Sequence, residues 1–85
     1  MIDPKIIIFE QGLAPFERFL LLAILEEPNL LHSTQQQMAN RLGCHFRHIV
    51  PAMNRLKAMN CFRRSLETRN LILNDPNEWR VLSRK

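Results

Sequence analysis

The sequence predicts a mainly α domain with a small β-hairpin, an α+β fold, and three observations predict it. Two short helical patterns are joined by a glycine turn between residues 34 and 60, a longer apolar helical pattern precedes them at 15–27, and two strand-like runs follow within 62–73. The chain has 85 residues, 46% hydrophobic and 24% charged, so it can bury one small core and is not disordered. We therefore predict a single domain over residues 1–85.

The first helix of the central pair begins at a capping box. Thr34 is followed by Gln37, so the hydroxyl can accept from the third helical amide while the glutamine side chain reaches back. Ser33 with Gln36 offers the same box one residue earlier. Gly43 follows, and glycine adopts the left-handed conformation that ends a helix at no steric cost. A tight turn is therefore predicted.

The second helix of the pair has apolar residues at helical spacing, with His45 before them: Ile49, Ala52, Met53 and Leu56. Pro51 would be its sixth residue and would remove the backbone bond to the carbonyl of Arg47, at a cost of about 3 kcal/mol. Either the helix is kinked there, or it begins later and residues 45–50 form an extended turn. The apolar spacing runs through the proline, so we predict a kinked continuous helix and a helix-turn-helix pattern.

The N-terminal part predicts an arm and then a long helix. Residues 5–9, KIIIF, are β-branched or aromatic apart from the lysine, which favours a short strand within an arm of residues 1–14. Pro15 suits the first position of a helix over 15–27, and Pro28 stops it.

That helix is apolar nearly all round, because Leu21, Leu22 and Leu25 extend its apolar face. A second surface must cover it, and we predict a homodimer packed on this helix and the N-terminal strand. The alternative is that Leu21 and Leu25 lie under the N-terminal segment of the same chain.

A hairpin follows the central pair. Asn60 suits a left-handed helix end, and residues 62–66 and 70–73 read as two strands across a turn that carries arginines near its tip. Leu30 and Leu31 could add a bridging strand beneath it.

The chain then predicts a closing helix over 76–83. Asp75, Pro76 and Glu78 stand at the N-cap, the first and the third helical positions. A third strand through residues 79–82 is the competing interpretation, since Trp79 and Val81 also alternate.

Charge is unevenly distributed. The net charge is +4, but residues 1–32 carry two basic and five acidic residues, a net −3, whereas residues 33–85 carry ten basic and three acidic residues, a net +7. The basic part contains the two-helix motif, as expected if a polyanion binds there.

Cys44 and Cys61 form no CxxC pair, so we expect buried thiols in a reducing compartment. Zinc bound by Cys44, His45, His48 and Cys61 is the alternative, although adjacent residues cannot easily aim at one ion from a helix start. We therefore expect no metal and no cofactor. A signal peptide is lacking and the longest apolar run is too short to span a bilayer, so we expect a cytoplasmic protein that does not enter membranes.

These elements together resemble a winged helix-turn-helix, most closely the DNA-binding domain of the catabolite activator protein family of bacterial regulators. The resemblance covers residues 33–79 and is carried by the segments STQQQMANRLGCHFRHIVPAMNRL, NCF and LILNDPNEW. Residues 1–32 contain no counterpart of the family's nucleotide-binding domain or long dimer helix, so we expect no internal ligand domain of that kind.

The resemblance implies that the second motif helix lies in the major groove of double-stranded DNA and reads base edges with its exposed N-terminal residues. These are His45, Phe46, Arg47, His48, Val50, Pro51 and Asn54. Arg47 can bond guanine bidentately and would be the principal base reader. Arg41, Arg55 and Lys57 would touch flanking phosphates, and Arg63, Arg64 and Arg69 would place the wing, residues 62–73, against the backbone or minor groove.

The leading interpretation is therefore a small DNA-binding protein, associated with the nucleoid, that regulates transcription or serves replication or partition of a mobile element. Phe46, Val50 and Pro51 are apolar where the family commonly has polar side chains. The alternative is thus a protein-interaction module that docks a partner through this apolar patch. No catalytic set, glycine-rich phosphate loop or metal-ligand spacing is found, so we predict that it is not an enzyme.

Overall fold

Residues 2–80, the part of the chain that the computed structural model describes, are mainly helical with one small antiparallel sheet, which confirms the α+β prediction. The elements are α1 (Pro4–Ile8), α2 (Pro15–Glu26), a 3-10 turn (Pro28–His32), α3 (Gln35–Leu42), α4 (Phe46–Ala58), β1 (Phe62–Arg64), β2 (Leu71–Leu73) and a second 3-10 turn (Pro76–Glu78).

The N-terminal segment is a helix, so the predicted strand over 5–9 is wrong. The Asp3 carboxylate accepts a hydrogen bond from the amide of Lys5 at 3.0 Å, and Pro4 occupies the first helical position. Ile7 is fully buried against the core while Ile6 and Ile8 are exposed. β-branched residues favour a strand only where a neighbouring strand packs beside them, and here the N-terminal cap decides the local structure.

Helix α2 begins at Pro15 as predicted and ends one residue early, at Glu26. The carboxylate Oε1 of Glu17 accepts from the amide of Ala14 at 2.9 Å and so caps the first turn. Leu21 is completely buried within the single chain. Helix α1 packs against α2. The N-terminal segment of the same chain therefore covers part of α2, as in the alternative to the homodimer.

The central pair forms as the sequence indicated. Thr34 and Gln37 make both bonds of the capping box, at 3.1 and 2.9 Å, and Gly43 ends α3 with φ +71°. Helix α4 is continuous through Pro51, which excludes the extended turn over 45–50. The ring Nδ1 of His45 accepts from the amide of Arg47 at 3.0 Å and caps this helix.

The hairpin follows a left-handed Asn60, whose φ is +60°. Phe62 pairs with Leu73, and the two strands are shorter than predicted because the loop begins at Ser65. The bridging strand expected at Leu30 and Leu31 is instead the 3-10 turn Pro28–His32, and these two leucines are buried in the core.

The predicted helix over 76–83 is wrong at its start, because Pro76–Glu78 is a single 3-10 turn and Trp79 is extended with ψ 140°. The indole Nε1 of Trp79 donates to the carbonyl of Asn74 at 3.0 Å, and the amide of Arg80 donates to the carbonyl of Met59 at 2.6 Å. The second of these bonds places residue 80 beside the C-terminal end of α4, so the chain is extended there and the predicted helix does not continue. Positions 81–83 of that predicted helix, and part of the competing strand over 79–82, lie outside the described residues.

One ion pair joins α2 to α4 across the core. The side chain of Glu17 is only 5% exposed, and its Oε2 lies 2.6 Å from Nε of Arg55. A second nitrogen of the same guanidinium donates to the carbonyl of Gly12 at 3.3 Å. The carboxylate therefore caps α2 and fixes α4 at the same time.

Replacing Arg55 with alanine should lower the free energy of unfolding by about 1–3 kcal/mol, because it leaves the buried carboxylate of Glu17 without its cation. Arg41→Ala is the matched control, since Arg41 pairs with Glu27 at the surface and such pairs contribute about 0–1 kcal/mol. Urea unfolding of both variants measures the difference. Equal losses would contradict the buried-pair role.

Cys61 is fully buried, as expected, whereas Cys44 is only half-buried. Burial, and then the neighbouring charge of Glu17, raises the pKa of the Cys61 thiol from 9.0 to about 12. The folded protein therefore holds this proton more tightly than the unfolded chain does.

Stability should consequently fall as the pH rises above 9, where the unfolded thiol begins to ionise while the folded thiol does not. In Cys44→Ser, the remaining Cys61 thiol should resist a thiol-modifying disulfide reagent at pH 8 until denaturant is added. Rapid modification of Cys61 in the folded variant would contradict the burial of this thiol.

Candidate nucleic-acid interface

The outward face of α4 is defined by what the helix buries. Ile49, Met53 and Leu56 are buried, and side chains rotate by about 100° per residue around a helix. The opposite face therefore carries Arg47, Pro51, Asn54 and Ala58, all of which are exposed. This stripe runs the length of the helix and is exposed in the structure of residues 2–80.

The remaining predicted residues of α4 lie on its two flanks. His48 and Arg55 lie on the side of α2, where the His48 ring is 6.2 Å from the ring of Phe16. Phe46, Val50 and Lys57 lie on the other flank by the same rotation. Phe46 is 39% exposed and Val50 is half-buried.

Two of the cations expected to contact phosphate are paired with glutamates of the same chain. Arg55 is bound by Glu17 and by the carbonyl of Gly12, so its guanidinium is a structural group. Arg41 is paired with Glu27. Sequence reasoning missed both pairs because the partners lie 38 and 14 residues away along the chain.

Arg47 keeps its side chain available. No side-chain partner of its guanidinium occurs within residues 2–80, and the His45 cap fixes the backbone from which it projects. Pro51 has no amide hydrogen, so the carbonyl of Arg47 also lacks its usual helical donor. The start of α4 thus presents a cation that has no partner among residues 2–80.

The hairpin tip is ordered by Ser65. Its carbonyl accepts from the amide of Arg69 at 2.8 Å, and its hydroxyl accepts from the amides of Glu67 and Thr68. Arg69 has a φ of +61°, a left-handed conformation. These bonds hold the loop in a tight turn and leave Leu66 99% exposed at its tip.

The arginines of the hairpin point in different directions. Arg64 reaches back to the carbonyl of Arg69 at 2.9 Å, so these two residues come together at the tip. Arg63 pairs with Ile72 and projects from the opposite face, because successive strand residues alternate. All three arginines are exposed.

Leu66 was not among the residues predicted for the site. The signal was present in the sequence, because it is the one apolar residue in the polar run SLETRN. A single exposed leucine is unremarkable by itself, but this one lies between cationic residues at the end of a hairpin.

The alternative zinc site does not form. Cys61 is buried at the foot of the hairpin, whereas His45 and His48 are exposed on α4. Among the described residues, no three histidine, cysteine or acidic side chains come together as metal ligands. No helix between residues 2 and 80 is both long and apolar enough to cross a bilayer.

Comparisons with protein-family models, with curated proteins and with solved structures found no significant match to this chain. The functional interpretation therefore depends on the geometry and charge of the chain itself.

Proposed function

We propose that the protein is a small winged-helix DNA-binding protein that inserts α4 into the major groove and lays the hairpin on the backbone. The observation that carries the proposal is the exposed outward face of α4, which begins with Arg47 and is followed along the chain by a hairpin with three exposed arginines. Arg47 has no ion-pair partner within residues 2–80. Such a protein would regulate transcription, or serve the replication or partition of a mobile element, in the cytoplasm.

The outward face of α4 has the chemistry for base contacts. The major groove admits one α-helix, and a guanidinium there bonds the O6 and N7 atoms of guanine. Arg47 lies in the first turn of α4, and Asn54 lies two turns further along the same face. Lys57 on the flank is exposed and suits a phosphate contact.

The hairpin has the chemistry for backbone contacts. Arg63, Arg64 and Arg69 can neutralise phosphates on either side of a groove, and Leu66 can contact sugars or unstacked bases as an apolar tip. Glu67 is the sole acidic residue in the segment 62–73, so the hairpin stays cationic.

Affinity for a duplex of about 20 base pairs should fall with salt, with a log–log slope of roughly −3 to −5 per bound domain. Arg63→Ala combined with Arg69→Ala should reduce the steepness of that slope by about 2, because each arginine removes about one phosphate contact. Arg41→Ala is the control, since Arg41 is paired with Glu27. Fluorescence anisotropy at several salt concentrations measures the affinity, and hence the slope, for the wild type, the double variant and the control.

An affinity indifferent to salt, or equal slopes for the double variant and the wild type, would contradict DNA binding through the hairpin.

The rival function, a protein-interaction module, is favoured by the exposure of Phe46 and Pro51. Under that rival, Phe46→Ala with Pro51→Ala abolishes partner binding and leaves non-specific DNA affinity intact.

The proposal includes a homodimer packed on the N-terminal elements. Ile6, Phe9 and Phe19 are 46%, 75% and 47% exposed, so large apolar side chains of the N-terminal elements remain in contact with solvent. Light scattering at tens of micromolar should give the mass of two chains, and Phe9→Ser should return the mass of one. A wild-type mass of one chain would reject the dimer.

A further inference from the structure

The tip of the hairpin projects one apolar side chain into solvent. Leu66 is 99% exposed, so its side chain has almost no contact with the rest of residues 2–80. Its neighbours in sequence, Ser65 and Glu67, are both polar. Leu66 therefore contributes nothing to the core, and any role of this side chain lies in a contact outside residues 2–80.

The turn that carries Leu66 is ordered by its own side chains. The hydroxyl of Ser65 accepts a hydrogen bond from the amide of Thr68 at 3.4 Å. The guanidinium of Arg64 donates to the carbonyl of Arg69 at 2.9 Å, across the same loop. A contact made from an ordered loop loses little conformational freedom on binding. The tip is therefore pre-organised to insert Leu66 into a narrow space.

Cations surround this leucine. The segment 62–73 contains three arginines and one glutamate, a net charge of +2. Arg64 and Arg69 come together at the tip, where Arg64 uses one nitrogen for the carbonyl of Arg69 and a guanidinium has five N–H groups in all. The partner that fits this tip is a polyanion that also offers apolar surface.

Duplex DNA offers both chemistries in one groove. Phosphates line its two edges, and the faces of the bases become accessible where a base step opens. The minor groove is about 6 Å wide, so it admits a single side chain at the tip of a loop. A bilayer with anionic head groups also combines charge with an apolar interior, but one leucine supplies too little apolar area to hold a protein there.

We propose that Leu66 enters the minor groove and inserts between two base pairs, so that the protein kinks the DNA to which it binds. This inference rests on the proposed DNA-binding function and adds a deformation of the duplex to it. Leucine is among the side chains that act as wedges in minor-groove proteins, where the kink is about 20–90°. Arg64 and Arg69 would hold the tip in place through the phosphates beside it.

The wedge also selects the base step at which it inserts. Pyrimidine–purine steps such as TpA are easily unstacked, whereas A-tracts are stiff. A·T and T·A pairs present the same acceptors in the minor groove, so alternating and A-tract duplexes differ there in shape and stiffness. The protein should therefore favour alternating TpA DNA through Leu66, without a hydrogen bond from this residue to a base.

Two duplexes of about 20 base pairs test this, one with an alternating TpA centre and one with an A-tract centre between the same G·C ends. The full chain is titrated into each, and dyes at the two ends report bending by energy transfer. 2-Aminopurine in place of the adenines of the TpA steps becomes brighter when it unstacks. The wild type should raise both signals on the TpA duplex and bind it about fivefold more tightly than the A-tract duplex.

Matched variants isolate the wedge. Leu66→Ala should lose the brightening, the bending and the preference for TpA DNA, while the salt dependence of binding stays that of the wild type because every arginine remains. Leu66→Met keeps a long apolar side chain and should restore all three responses. Glu67→Ala is the control, because it shortens the exposed neighbour and leaves the leucine in place. Circular dichroism verifies that all three variants fold, as expected for substitutions at exposed positions.

The outcomes separate the wedge from DNA binding itself. Salt-dependent binding of the wild type with no brightening on the TpA duplex would overturn the wedge and leave DNA binding standing. Equal bending by the wild type and Leu66→Ala would assign the bend to α4 or to the arginines. Failure to bind either duplex would reject the proposed function and the wedge together. Binding to anionic lipid vesicles that Leu66→Ala abolishes, with no effect of this variant on DNA, would make a bilayer the partner of the tip.

Discussion

The buried carboxylate of Glu17 is the constraint on which the arrangement of the helices depends. One of its oxygens caps α2 at Ala14, and the other holds Arg55 of α4, whose guanidinium also reaches the carbonyl of Gly12. A charge so deeply buried is stable only while its partners remain in place. It therefore fixes the rotation of α4 about its own axis, and that rotation decides which side chains face outward.

Some basic residues of the C-terminal part form ion pairs within the fold, and others remain available on the surface. Arg41 and Arg55 are bound to glutamates of the acidic N-terminal part, so two ion pairs connect the acidic and the basic parts of the chain. The cations left without an acidic partner within residues 2–80 include Arg47, Lys57 and Arg63, on α4 and the hairpin. These cations, which take no part in the two ion pairs, belong to the surface that we propose for DNA binding.

Local signals in the sequence predicted the central pair well. The Thr34 cap, the Gly43 turn and the apolar spacing through Pro51 each act within a few residues, and the structure has all three. The predicted N-terminal strand was wrong because a β-branched segment forms a strand only beside a neighbouring strand, and the sequence does not reveal whether one is present. The start of the predicted closing helix was wrong because the indole of Trp79 bonds to the carbonyl of Asn74, a contact that helix propensity does not include.

The candidate site was predictable in outline and not in detail. The outward positions of Arg47 and Asn54 follow from helical periodicity, whereas the diversion of Arg55 to Glu17 depends on a contact between residues far apart in sequence. Leu66 was overlooked because apolar residues are usually counted toward the core, and only the geometry of the Ser65 turn exposes it.

The most direct test of the central claim is an NMR titration of the ¹⁵N-labelled chain with a short duplex, which reports on each residue separately. The account predicts that shift changes concentrate at Arg47, Asn54 and the hairpin tip, with Glu17 and Arg55 undisturbed. Changes confined to α1 and α2, or none at all, would contradict it.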